Sequence, residues 1–369
     1  MREYSQELVN ALQAQQEEVD LNGTQIIVKV NPEETRAGYL DPYELKLMKK
    51  GAQKQQEAPA VPLSPEEQLQ LVRDSMGFPN RNLNTVEIYT GYERVKLGDN
   101  EVGLWRYYPR KSMRKPGKPC LIYIHGGGWI GGTVFAVENP CRLIAELADA
   151  VVFNIDYSLA PEHKFPNGFN DCFNAVQYIY EHAEEYGIDR NRIAVGGDSA
   201  GGNLSAAVAT KDRDLGTGMV AQQVLIYPCV TFLNGVNGYR WELSQFEMAD
   251  EQRAMIDPML GIGRPTDADP ELRKGWESYL PSEEELRNPY VSPLLADSKG
   301  LPRTLCIGAE FDGLRIQSEM YSRQLAAAGV PVKTIRYKGC THAFIDRLGF
   351  VPQAEDLCIE IVNALKALK

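Results

Sequence analysis

The chain has 369 residues, 43% hydrophobic and 24% charged, enough for one large α/β domain with a substantial insert or for two domains. Its formal net charge of −11 argues against a nucleic-acid binder, which needs concentrated basic surface. Seven scattered cysteines give neither a disulfide framework nor metal spacing, no stretch reaches membrane-span length, and residues 1–7 lack the apolar core of a signal peptide, so the expectation is a cytoplasmic protein without metal, cofactor, membrane span or nucleic-acid partner.

Residues 1–85 are polar and rich in Gln and Glu. Tyr4, Leu8, Val9 and Leu12 sit at helical spacing, and Leu69, Val72 and Met76 repeat it. Ser64, Pro65 and Glu67 read as N-cap, first helical position and capping box of the second helix. Residues 51–62 read as a linker between the two. The first domain boundary is therefore placed at 85, with a helical segment before it; a disordered tail is the alternative for the first fifty residues.

From 86 to 369 the pattern changes. Runs at 86–97 and 101–108 flank Gly98-Asp99-Asn100 and predict an antiparallel hairpin. Apolar runs follow at 120–124, 151–155, 192–195, 224–228, 304–308 and 332–337. Helical patterns fall at 139–147, 171–186, 204–210, 315–328 and 353–368. Strands alternating with helices predict the α/β class, a mostly parallel sheet covered on both faces. The long interruption at about 231–290 carries Trp241, Phe246, Met248, Met255, Met259, Trp276 and Tyr279. It reads as an insert that walls an apolar pocket or packs as a small core of its own.

Gly197-Asp198-Ser199-Ala200-Gly201 lies between a strand-like run and a small-residue helix, the setting of a nucleophile elbow. Both glycines are expected because a β-carbon there would collide across the turn. Upstream, His125-Gly126-Gly127-Gly128-Trp129 follows the apolar run 120–124. The N–H groups of Gly127 and Gly128, with that of Ala200, are candidates for an oxyanion hole. A serine hydroxyl needs a base, and the chain has four histidines, at 125, 163, 182 and 342. His342 follows the last predicted strand, where a base reaches back over the sheet. Asp312, after the strand at 304–308, is the candidate acid; Glu310 and Asp346 compete. The order Ser199, Asp312, His342 is that of the α/β architecture, and an unperturbed imidazole predicts activity falling below about pH 6.5.

These residues resemble the hormone-sensitive-lipase-like branch of the α/β-hydrolases, the bacterial family IV carboxylesterases. The resemblance runs from about Val86 to the C-terminus. It rests on the glycine loop at 125–129, the run from Asp156 to His163, the elbow from Gly197 to Asn203, and Asn288-Pro289-Tyr290-Val291-Ser292-Pro293-Leu294. It implies an α/β-hydrolase fold with a helical cap made from residues 1–85 and the insert. It also implies Ser199, Asp312 and His342 as triad, and Gly127 and Gly128 as oxyanion donors. The expected activity is hydrolysis of short- to medium-chain acyl esters of small molecules by a serine carboxylesterase. An amidase or formamidase on the same scaffold, and a non-catalytic ligand-binding receptor, are the alternatives. Many relatives form homodimers through the last strand, here 332–337, and nothing in its residues requires that. The acid motif departs from the usual Asp-Pro-Leu-x-Asp/Glu, reading Asp312-Gly313-Leu314-Arg315-Ile316.

Overall fold

Continuous apolar runs such as Leu121-Ile122-Tyr123-Ile124 suit strands buried on both faces. The computed structural model, which describes every residue except 22, 58–62, 114 and 263–272, joins them in one ten-stranded sheet. The chain opens with α1 (Gln6–Ala14), β1 (Gln16–Leu21), β2 (Thr24–Lys29), α2 (Pro42–Glu57) and α3 (Pro65–Ser75). The hairpin of β3 (Ile88–Leu97) and β4 (Asn100–Pro109) follows, then β5 (Lys118–Ile124), α4 (Glu138–Ala148), β6 (Val151–Asp156) and α5 (Asn167–Glu181). Next come β7 (Ile188–Asp198), α6 (Ala200–Leu215), β8 (Gln222–Ile226), α7 (Asp250–Met259) and α8 (Arg273–Tyr279). β9 (Arg303–Phe311), α9 (Arg315–Ala327), β10 (Val332–Thr341) and α10 (Pro352–Lys366) complete it.

The strand order is β1-β2-β10-β9-β8-β7-β5-β6-β4-β3. Pairing is parallel from β2 through β6 and antiparallel at both edges. Side chains alternate between two cores, as the pleat requires. Cys120, Ile122 and Ile124 of β5 join the core with α5 and α6, while Leu121 and Tyr123 join the one with α4 and α10. The chain leaves β5 for β6 on one side and returns to β7 on the other. That reversal makes the β5/β7 crevice a topological switch point, where open α/β sheets place their ligands. Among the described residues no helix is long and apolar enough to cross a membrane.

The helical-cap expectation does not describe the start of the chain. α1 buries Val9 and Leu12, and just before it Tyr4 Oη donates to Glu355 of α10 at 2.7 Å. β1 and β2 form a hairpin whose second strand pairs in parallel with β10, Thr334 against Ile26 through Tyr337 against Lys29. The outer edge of β10, open to a homodimer in the sequence reading, is thus occupied within the chain. Lys29, fully buried, ion-pairs with Asp356 at 3.2 Å and Glu360 at 2.6 Å on α10. A buried cation persists only when so compensated, which fixes β2 against that helix. Residues 51–57, read as linker, are the last turns of α2, and 58–62 lie outside the described residues. α3 does begin with the Ser64–Glu67 capping box and Pro65.

In the insert, Phe246 and Met248 pack with Ile256, Leu260, Leu40 and Phe311 in a separate small core, and Trp241 leans on it. Trp276 and Tyr279 enter the main core. Trp241, Phe246, Met248, Trp276 and Tyr279 therefore supply packing and do not line the active-site cavity.

Candidate active site

β7 ends at Asp198 and α6 begins at Ala200, leaving Ser199 alone at the turn with φ 55° and ψ −117°. A non-glycine residue held there costs about 1–3 kcal/mol, and its neighbours enforce it. The Ser199 N–H donates to Ile226 O of β8 at 2.9 Å. A β-carbon at Gly197 would lie 2.1 Å from Ile124 O, and one at Gly201 1.9 Å from the same oxygen. Ile124 is the β5 residue paired with Gly197. The glycines are thus dictated chiefly by the carbonyl of the adjacent strand, with the collision across the turn a lesser part.

His342 follows β10 directly. Its Nε2 lies 2.9 Å from Ser199 Oγ and its Nδ1 2.8 Å from Asp312 Oδ2. Asp312 is fully buried, and its Oδ1 accepts the Leu314 N–H at 2.9 Å. Glu310 points elsewhere, accepting the Gly339 N–H at 2.8 Å. Asp346 borders the cavity below rather than Nδ1. The unusual Gly313 has a local cause: a β-carbon there would meet Ile262 O at 1.9 Å and Leu260 O at 2.4 Å. The insert closes over the acid loop, where proline would not fit, and Trp241 Nε1 donates to Gly313 O at 3.2 Å.

The other histidines stand apart. His163 is exposed, and His182 caps α5 with Nδ1 2.8 Å from Tyr178 O. His125 is buried, stacks on Tyr157 with centroids 4.5 Å apart, and is pushed down by burial. It is thereby a neutral structural ring in the glycine loop.

Gly127 and Gly128 take φ 127° and 60°. With Ser199 and His342 they line a cavity of about 450 Å³ that also meets Met76, Phe78, Ile262 and Asp346. Ala200 is the residue after the serine, at the first turn of α6, where N–H groups lack helical partners. Among the described residues no loop or turn hydrogen bond takes the N–H of Gly127, Gly128 or Ala200. α3 reaches the cavity because Arg73, in its last turn, donates to Ile130 O at 2.6 Å and Ala160 O at 3.0 Å and pairs with Glu162 at 2.7 Å.

Two carboxyl groups stand at the site in roles the sequence does not assign: Asp198, not singled out there, and Asp346, weighed only as a competitor for the acid. Asp198 accepts from Tyr123 Oη at 2.9 Å and from the Gly126 N–H at 3.0 Å, tying the elbow to the glycine loop. Burial raises it. Asp346 is pushed up to about 8 by burial and by the Asp198 charge. His342 is also raised: burial opposes its charged form, but the Asp312 charge and hydrogen bond outweigh that, and Asp198 and Asp346 add to them. Only the position of Asp198 within the elbow motif could have signalled its role; the approach of Asp346 is tertiary.

A parallel sheet with a serine turn at its switch point and a histidine–aspartate pair on adjoining loops defines the α/β-hydrolase class. A family model described as alpha/beta hydrolase fold matches residues 121–346. The chain is 34% identical over 253 residues to an arylesterase of Saccharolobus solfataricus, spanning 68% of this chain and 76% of that protein. It is 34% identical over 288 residues to carboxylesterase NlhH of Mycobacterium tuberculosis, spanning 77% and 82%. A solved structure of an arylesterase superposes with TM-score 0.73 at 30% identity, covering 89% of this chain and 99% of that one. The chain belongs to the α/β-hydrolase fold family, in agreement with the motif resemblance. It is a carboxylic ester hydrolase.

Proposed function

We propose that this enzyme is a serine carboxylesterase acting on short- to medium-chain acyl esters through an acyl-enzyme on Ser199. The observation that carries the reading is the hydrogen-bond line from Ser199 Oγ through His342 to Asp312, at 2.9 and 2.8 Å. His342 takes the hydroxyl proton as Ser199 Oγ bonds to the ester carbonyl carbon. The oxyanion is held by the N–H groups of Gly127, Gly128 and Ala200, and Asp312 stabilises the imidazolium. His342 then gives its proton to the departing alkoxide as the ester C–O bond breaks. Water repeats the sequence and releases the acid. A cavity of about 450 Å³ suits a small molecule. A cytoplasmic setting is part of the proposal, supported by seven unpaired, buried cysteines.

Hydrolysis of p-nitrophenyl esters from acetate to dodecanoate tests the substrate class. Turnover should peak at a short chain and decline toward dodecanoate. A peak at dodecanoate would contradict the pocket reading, and turnover of the matching anilides in place of esters would favour an amidase.

The base works as neutral imidazole, so the rate falls as the pH drops through the value of His342. The structure raises that value above 6.5, which moves the limb expected from sequence upward. The acid limb of kcat/KM should therefore have its midpoint above 6.5. A midpoint at or below that value contradicts the electrostatic account.

A further inference from the structure

The segment leading into α2 does not cover the cavity; it lies against the loop that carries His342. The Asp41 N–H donates to Gly339 O at 2.9 Å. Asp41 Oδ2 accepts from Asn31 and from Gln353 of α10, both at 3.0 Å. Gly339 takes φ 74°, and a β-carbon there would sit 2.7 Å from Asp41 N, so the approach of this segment decides that residue. The N–H of Gly339 is held in turn by Glu310. One end of the histidine loop is thus clamped from both sides.

The rest of the loop is held by one buried carboxylate. Glu44, 1% exposed, accepts from Thr341 Oγ1 at 2.9 Å, the residue immediately before His342. Its other oxygen pairs with Arg347 Nη1 at 3.0 Å, and that same nitrogen approaches His342 O at 3.5 Å. A single side chain from the N-terminal region therefore contacts the loop on both sides of the histidine, at Thr341 and Arg347. A buried carboxylate is retained at a cost unless its charge and lone pairs are matched, and here every match lies on this loop.

We propose that Glu44 is a positioning residue for His342, fixing the imidazole over Ser199 through Thr341 and Arg347. The proposal rests on the reading of His342 as the base. It does not require Glu44 to touch substrate. The region before α3 then belongs to the machinery that orients the base. A displacement of about 1 Å in such a group costs on the order of a hundredfold in rate.

The test compares wild type, Glu44→Ala, Glu44→Gln and Thr341→Val. Active sites are counted by p-nitrophenol released stoichiometrically from a p-nitrophenyl alkylphosphonate. Per counted site, Glu44→Ala should lose about 10- to 100-fold in kcat with KM changed less than about threefold. Glu44→Gln keeps an acceptor for Thr341 and should fall between Glu44→Ala and wild type. Thr341→Val preserves the side-chain shape and should lose kcat in the same direction, so it decides the matter if Glu44→Ala does not fold. A purely structural role would lower the melting temperature and the number of sites while leaving kcat per site within about twofold of wild type. That result overturns the proposal. Wild type that takes no phosphonate would overturn the triad reading itself, a separate failure.

Discussion

Ser199→Ala should lower kcat for p-nitrophenyl acetate by about a million-fold, the scale set by loss of a triad nucleophile in subtilisin. Ser199 Oγ is the atom aligned with His342 Nε2, and among the described residues no other hydroxyl hydrogen-bonds to that nitrogen. The substitution leaves the elbow intact, because the turn is enforced by Ile226 O and by the Ile124 carbonyl rather than by the hydroxyl. Folding should be preserved, which separates loss of chemistry from loss of structure. Steady-state hydrolysis together with a thermal melt checks both. A variant within about tenfold of wild type in kcat would remove Ser199 from the mechanism.

Asp312→Asn should cost about ten-thousandfold in kcat with little change in geometry. The reason lies in the two oxygens of Asp312. Oδ1 accepts the Leu314 N–H, whereas Oδ2 faces His342 Nδ1. In the amide the carbonyl oxygen stays against Leu314, since only an acceptor satisfies that N–H. The NH2 group then faces Nδ1, which must become the acceptor. The ring proton moves to Nε2 and points at Ser199, so the imidazole no longer takes the serine proton. Stopped-flow acylation over pH measures the loss. A decline of less than about tenfold would mean that Asp312 does not set the tautomer.

Much of this site was legible because its signals are local. The elbow, the glycine loop and the order Ser199, Asp312, His342 each occupy a few residues at the end of an apolar run. The buried strands betray themselves by that same run, β5 and β9 being almost wholly buried. What escaped was tertiary in origin. β1 reads Gln-Glu-Glu-Val-Asp-Leu and is exposed along most of its length because it is the outermost strand, so no alternation marks it. β2 ends in Lys29, a residue that pattern reading places outside; its burial is permitted by Asp356 and Glu360, more than three hundred residues away. Asp346 and Asp198 are likewise neighbours only in the fold. Gly313 is unexplained by the acid motif and becomes intelligible once Ile262 O is seen beside it.

The pH dependence follows from the same proximity. Against the opposing effect of burial, the Asp312 carboxylate at Nδ1 favours the charged imidazole, and the charge of Asp198 adds to it. The enzyme therefore has a stronger base than an isolated histidine, at the expense of activity on the acid side.

The most direct test of the central claim is covalent. Wild type treated with a p-nitrophenyl alkylphosphonate and mapped by peptide mass spectrometry should release one equivalent of p-nitrophenol and carry a single adduct on Ser199. Its rate of modification should fall as the pH drops through the raised value of His342. An adduct on another residue, or an active enzyme that remains unlabelled, would contradict the account.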